Sequence, residues 1–126
     1  MTVVGEVGKG HGVASLNLSK VYSLIEERSG LSGIVPGTLN LKLDNHFPVE
    51  KADFVISEDE YNGVEWIRFL KCQVNGIPSL IMRPKNHDDP KRSELWCRLE
   101  LMAQVNLRES LGLSDGDKVE VLVTPW

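Results

Sequence analysis

The sequence predicts a mainly β protein, a closed or nearly closed barrel with a two-sheet sandwich as the rival, on three observations. Eight short segments, "TVVGEV", "VASLNL", "TLNLKL", "ADFVIS", "VEWIRFLKCQV", "IPSLIM", "LWCRLEL" and "KVEVLV", read as strands separated by Gly, Pro, Asn and Asp. Two of them meet at Asn75-Gly76, a dipeptide that tolerates the positive φ a type I′ hairpin turn needs at both centres, so these two are predicted to be antiparallel neighbours. Only two stretches carry helical spacing, and both are short.

A chain of 126 residues can fill one core without metal or disulfide staples. Its formal net charge of −4 disfavours nucleic acid as a partner, because phosphate contacts need a concentrated cationic surface. Cys72 and Cys97 lie in apolar runs without zinc-site pairing, which predicts buried free thiols and a reducing compartment. The N-terminal stretch lacks a charged region followed by an apolar core, and no apolar run nears the roughly 18 residues of a membrane span. The expectation is a cytoplasmic protein with no membrane partner.

Taken in order, the first strand "TVVGEV" runs into "GKGHGV". In "LSKVYSLIEERSG", Ser19 is the candidate cap, Val21, Leu24, Ile25 and Arg28 share one side of a helix, and Gly30 stops it. Val35-Pro36-Gly37-Thr38 fits a type II turn, with Pro at its second position and Gly at its third. Beyond it Leu39, Leu41 and Leu43 alternate with Thr38, Asn40 and Lys42, so the leucines bury one face of a strand.

The one long polar stretch, 83–94, sets Arg83, Lys85, Lys91 and Arg92 against Asp88, Asp89 and Glu94. It reads equally as a lid or as a solvated connection. Next, Leu95, Cys97, Leu99 and Leu101 alternate with Trp96, Arg98, Glu100 and Met102, which places Glu100 on the face away from the presumed core. "QVNLRESLG" is the second helix candidate, with Val105, Leu107 and Leu111 toward a core and Gly112 as its end. "LSDGDKV" is a tight turn in which Asp115 and Asp117 serve turn chemistry.

Two features point toward phosphate chemistry. Thr38 and Asn40 are roughly 6.6 Å apart along one face at ~3.3 Å per residue, so their oxygens can converge on a hard cation. Neutral oxygens suit magnesium, which takes the rest of its shell from water and substrate phosphates. The competing reading is that both residues close the turn through local hydrogen bonds. Gly8, Gly10 and Gly12 let the backbone approach phosphates and aim N–H groups at them; the competing reading is a plain flexible hairpin. No Gly-x-x-x-x-Gly-Lys-Ser/Thr motif occurs, which sets a P-loop kinase aside. His11, His46 and His87 show no ligand spacing.

"PGTLNLKL", preceded by "GEVGKGHG" and followed by "LELMAQVNLRESLGLSDGDKVEV", resembles the signature stretches of the archaeal-type CTP-dependent riboflavin kinases, in order and spacing, over nearly the whole chain. The resemblance implies a single domain over residues 1–126, a six-stranded cradle-loop β-barrel with one or two short helices. It implies transfer of the terminal phosphate of CTP to the 5′-hydroxyl of riboflavin, giving FMN and CDP. By the same resemblance, Thr38 and Asn40 would hold Mg²⁺. Nucleotide would lie against Gly8, Lys9, Gly10, His11, Gly12 and Val13 and against Val105, Asn106, Leu107 and Arg108. Flavin would meet Ser93 and Glu100, the latter orienting the ribityl hydroxyl or accepting its proton. The alternative is a barrel that binds nucleotide or flavin without chemistry, as a sensor or partner module. A DNA-binding swapped barrel is disfavoured by the acidic balance.

Overall fold

The computed structural model describes residues 1–8, 18–35, 38–47, 51–61, 63, 65–85, 91 and 96–126. Its elements are β1 (Thr2–Gly8), α1 (Leu18–Ser29), β2 (Leu39–Lys42), β3 (Phe54–Ile56), α2 (Glu58–Tyr61), β4 (Ile67–Val74), β5 (Ile77–Pro84), β6 (Arg98–Ala103), α3 (Leu107–Ser110) and β7 (Lys118–Leu122). All strand pairs are antiparallel, in the order β4-β5-β6-β2-β1-β7. The ring closes because Gln73 and Val74 pair with Leu122 and Val121. The fold is therefore a closed six-stranded barrel rather than a sandwich, and β3 joins β4 outside the ring.

Alternation fills the interior. Val7 from β1, Leu39 and Leu41 from β2, Cys72 and Val74 from β4, Leu99 and Leu101 from β6, and Val121 from β7 belong to one buried cluster. Asn75 at φ 51° and Gly76 at φ 79° make the hairpin that joins β4 to β5. At Gly5 a Cβ would lie 2.8 Å from the Leu41 Cβ, so β1 crosses β2 too closely there for any other residue.

A second core lies outside the barrel. Val21 and Ile25 of α1 pack with Leu31, Ile34, Ile56, Ile67, Phe69, Leu80 and Met102. Parts of β4, β5 and β6 are thus buried on both faces, which explains why "SLIM" and "LELMA" depart from strict alternation. Gly30, at φ 82°, ends α1 while its N–H donates to the Glu26 carbonyl at 3.0 Å. The helix is clamped by Arg28, which donates to the Val55 carbonyl at 2.7 Å and forms an ion pair with Glu60 of α2.

Several expectations differ from the structure. The helix already includes Leu18, so Ser19 sits inside its first turn and not at its cap; of the strand read from "VASLNL", Leu18 is helical and 13–17 lie outside the described residues. Arg83 is not part of a solvated connection. It is the penultimate residue of β5, at 0% exposure, and donates to the Trp96 and Arg98 carbonyls at 3.0 and 2.6 Å. Burial, then the charge of Arg68 directly opposite, pulls it down to about 10. Val105 does not face a core, being 39% exposed. α2 was not foreseen, so the helices number three among the described residues.

Both thiols are free, Cys72 buried and Cys97 only half-buried. Among the described residues no helix is long and apolar enough to cross a membrane. Pro36 and Gly37 of the expected turn, and 86–90 and 92–95 of the polar stretch, lie outside the described residues.

Candidate functional site

The chain enters β2 along a segment held at several points. Glu26 of α1 accepts bonds from the Gly33 and Ile34 amides, the latter at 3.2 Å. Val35 N–H donates to the Ala103 carbonyl at 2.9 Å, and the Gln104 amide donates to the Ser32 carbonyl at 2.8 Å. Helix α1 and the end of β6 thereby set where Thr38 and Asn40 begin.

Both side chains are half-buried. Asn40 Nδ2 lies 3.4 Å from the Thr38 carbonyl oxygen and 3.5 Å from Thr38 Oγ1. The two groups therefore converge, as their alternation predicts, but through long contacts at the limit of hydrogen bonding. Exchanging the ends of the Asn40 amide presents Oδ1 beside Thr38 Oγ1 instead. A hydroxyl and an amide oxygen fit magnesium that completes its shell with phosphate and water. Among the described residues no group of three or more His, Cys, Asp or Glu side chains is placed to hold a metal.

Strand register brings the other candidates to this pair. Asn40 stands opposite Gly8 on β1 and opposite Glu100 on β6, and Glu100 in turn opposite Met82 on β5. Directly opposed residues point to one side of a sheet, so Gly8, Asn40 and Glu100 form a row on the outer barrel face. Among the described residues a Cβ at Gly8 would meet nothing within 4 Å, so their packing does not fill the space beside this backbone. Glu100 does lie away from the barrel interior, yet it is half-buried beside the second core. Burial pushes its carboxyl above the usual carboxylate range, opposed in part by the charges of Arg98 and Arg83.

The fourth side is α3. Asn106 caps it, its side chain accepting the Glu109 N–H at 3.1 Å. Leu107 is buried in the barrel core. Arg108 Nη2 reaches the Gly8 carbonyl at 3.3 Å and Asp115 Oδ1 at 2.8 Å.

Together these elements enclose a cavity of about 210 Å³. Its wall holds Gly8, Thr38, Asn40 and all of Val105, Asn106, Leu107 and Arg108, over a floor from Leu39 and Leu101–Ala103. Glu100 is not in the lining but one strand across from Asn40. A wider groove of about 490 Å³, between the β4–β5 hairpin and β7, holds none of the ligand-binding candidates among the described residues. Lys9, Gly10, His11, Gly12, Val13 and Ser93 lie outside the described residues. His46 is exposed, its ring 5.1 Å from that of Trp96. The sequence reading missed the Arg108–Asp115 pair. Asp117 does serve the turn, accepting from Ser114 N–H at 2.7 Å, but Asp115 turns to the arginine.

The family model CTP-dep_RFKase, described as "Domain of unknown function DUF120", matches residues 6–123. The chain is 33% identical to the riboflavin kinase of Pyrobaculum arsenaticum, covering 96% of this chain and 60% of that protein. It is 34% identical to the riboflavin kinase of Archaeoglobus fulgidus, covering 96% and 54%. Against the riboflavin kinase of Methanococcus maripaludis it is 31% identical, covering 98% and 100%. The chain thus spans a little over half the length of the first two relatives and the full length of the third.

Proposed function

We propose, from the premise that this chain belongs to the CTP-dep_RFKase family, that it is a phosphotransferase converting riboflavin to FMN, with CTP as donor and CDP as the second product. The observation that carries this reading is the single cavity gathering Gly8, Thr38, Asn40 and Val105–Arg108, with Glu100 opposite Asn40 on the neighbouring strand.

Phosphoryl transfer asks for positioning and charge stabilisation more than for covalent help from the protein. Thr38 and Asn40 would hold Mg²⁺, which supplies charge neutralisation at the transferring phosphate. The open backbone at Gly8, continued by Lys9, Gly10, His11, Gly12 and Val13, would take the phosphates, while Val105, Asn106 and Leu107 would take the cytidine and Arg108 an anionic oxygen. Glu100, with Ser93, would meet the flavin. A carboxyl raised by burial is a better proton acceptor for the ribityl hydroxyl than an ordinary one, and the same group can orient that hydroxyl. A reducing cytoplasm suits the two free thiols.

The test is direct. Purified protein incubated with riboflavin, CTP and Mg²⁺ should yield FMN and CDP by mass spectrometry, with ATP, GTP and UTP run in parallel to establish the donor. Absence of FMN while flavin and CDP both bind by calorimetry would replace this reading with that of a non-catalytic binding barrel.

A further inference from the structure

Resting on the kinase reading above, we propose that Asp115 is a positioning residue for nucleotide phosphate, acting through Arg108. One nitrogen is shared: Arg108 Nη2 donates both to the Gly8 carbonyl at 3.3 Å and to Asp115 Oδ1 at 2.8 Å. Among the described residues, these bonds leave Nε and Nη1 of a planar, five-donor group for an anion in the cavity that Arg108 lines.

Both acceptors are themselves anchored. The turn carrying Asp115 is bonded to Val7 of β1 through the two residues that follow Asp115, with Gly116 N–H donating to the Val7 carbonyl at 2.8 Å and Val7 N–H to the Asp117 carbonyl at 2.8 Å. Leu113 N–H donates to the Arg108 carbonyl at 2.8 Å, which ties the same turn to α3. Asp115 therefore stands at a fixed point between β1 and α3. The pair is 40% and 49% exposed, so its contribution to stability is small. Its consequence lies in where the guanidinium points.

The sign of the effect separates positioning from mere proximity. A carboxylate near a phosphate repels it, so neutralising one that only sat nearby would tighten phosphate binding. Neutralising one that aims a cation would loosen it. Calorimetry with CDP and Mg²⁺ on the full chain distinguishes these. Asp115→Asn should weaken CDP binding about fivefold to tenfold, the effect of one misdirected charge-assisted hydrogen bond, with melting temperature within about 2 °C of the parent. In an Arg108→Gln background the same substitution should change CDP affinity less than about twofold. CDP binding equal to or tighter than the parent's in Asp115→Asn, or an equal loss with and without Arg108, would overturn the inference while leaving the kinase reading standing. A parent protein that does not bind CDP would overturn both.

Discussion

Asn40 and Glu100 face each other across β2 and β6, and they test different things. The contacts from Asn40 to Thr38 are 3.4 and 3.5 Å long, so Asn40→Ala should cost under about 1 kcal/mol of stability. If the amide helps seat the ion, the same variant should lose about 100-fold or more in FMN turnover. Calorimetric melting beside a turnover assay reads both, and a large melting shift would favour the turn-closing role. For Glu100 the folded-state carboxyl lies above its usual 4.5 because of burial. The native state then holds that proton more tightly than the unfolded chain, and stability falls as pH rises through the interval between 4.5 and the raised value. Glu100→Gln should therefore melt higher than the parent at pH 7, with the gain vanishing below pH 4.5, and should lose FMN formation. Cys72, buried and pushed up to about 12, should resist alkylation until the protein unfolds. At this scale the sequence was readable where near neighbours decide which way a residue faces, as with the shared face of Thr38 and Asn40. It was silent on Asp115, whose partner lies across a turn and a helix end.

At the scale of elements, legibility followed how many faces of a strand are covered. The alternation of Leu39, Leu41 and Leu43 was plain because β2 buries only its barrel face. On β6 the outward Met102 is buried too, under the layer that α1 supplies. Outward was therefore not the same as exposed for Glu100, and no local pattern could say so. Helix ends divided similarly. Gly30 ends α1 by its own backbone freedom, whereas the start of the helix fell earlier than Ser19, since packing of Val21 and Ile25 stabilises a turn that propensity alone would not. The close crossing of β1 over β2 gives a direct test. Gly5→Ala would force a Cβ to 2.8 Å from Leu41, so it should destabilise by about 1–3 kcal/mol in urea unfolding without removing any candidate ligand contact.

For the molecule in acid, the clamp between α1 and α2 contributes a pH-dependent part of stability. Glu60 is held down to about 2, chiefly by the side chain of Arg28, with further bonds from Ser57. A carboxyl lowered by folding contributes stability that is full above 4.5 and is lost as pH falls toward about 2. Thermal melts across that window should show Glu60→Gln with a shallower loss than the parent.

Strand richness, the β4–β5 hairpin at Asn75-Gly76 and the shared face of Thr38 and Asn40 are all legible in the chain, because each depends on residues a few positions apart. The three-dimensional fold alone makes Val74 meet Val121 to close the ring. It alone brought Gly8, Asn40 and Arg108 to one cavity and covered the outer face beside Glu100 with α1. Which distant strands pair depends on the closure that buries apolar surface on both sides of the sheet while leaving few backbone groups unpaired, and that is a property of the whole chain.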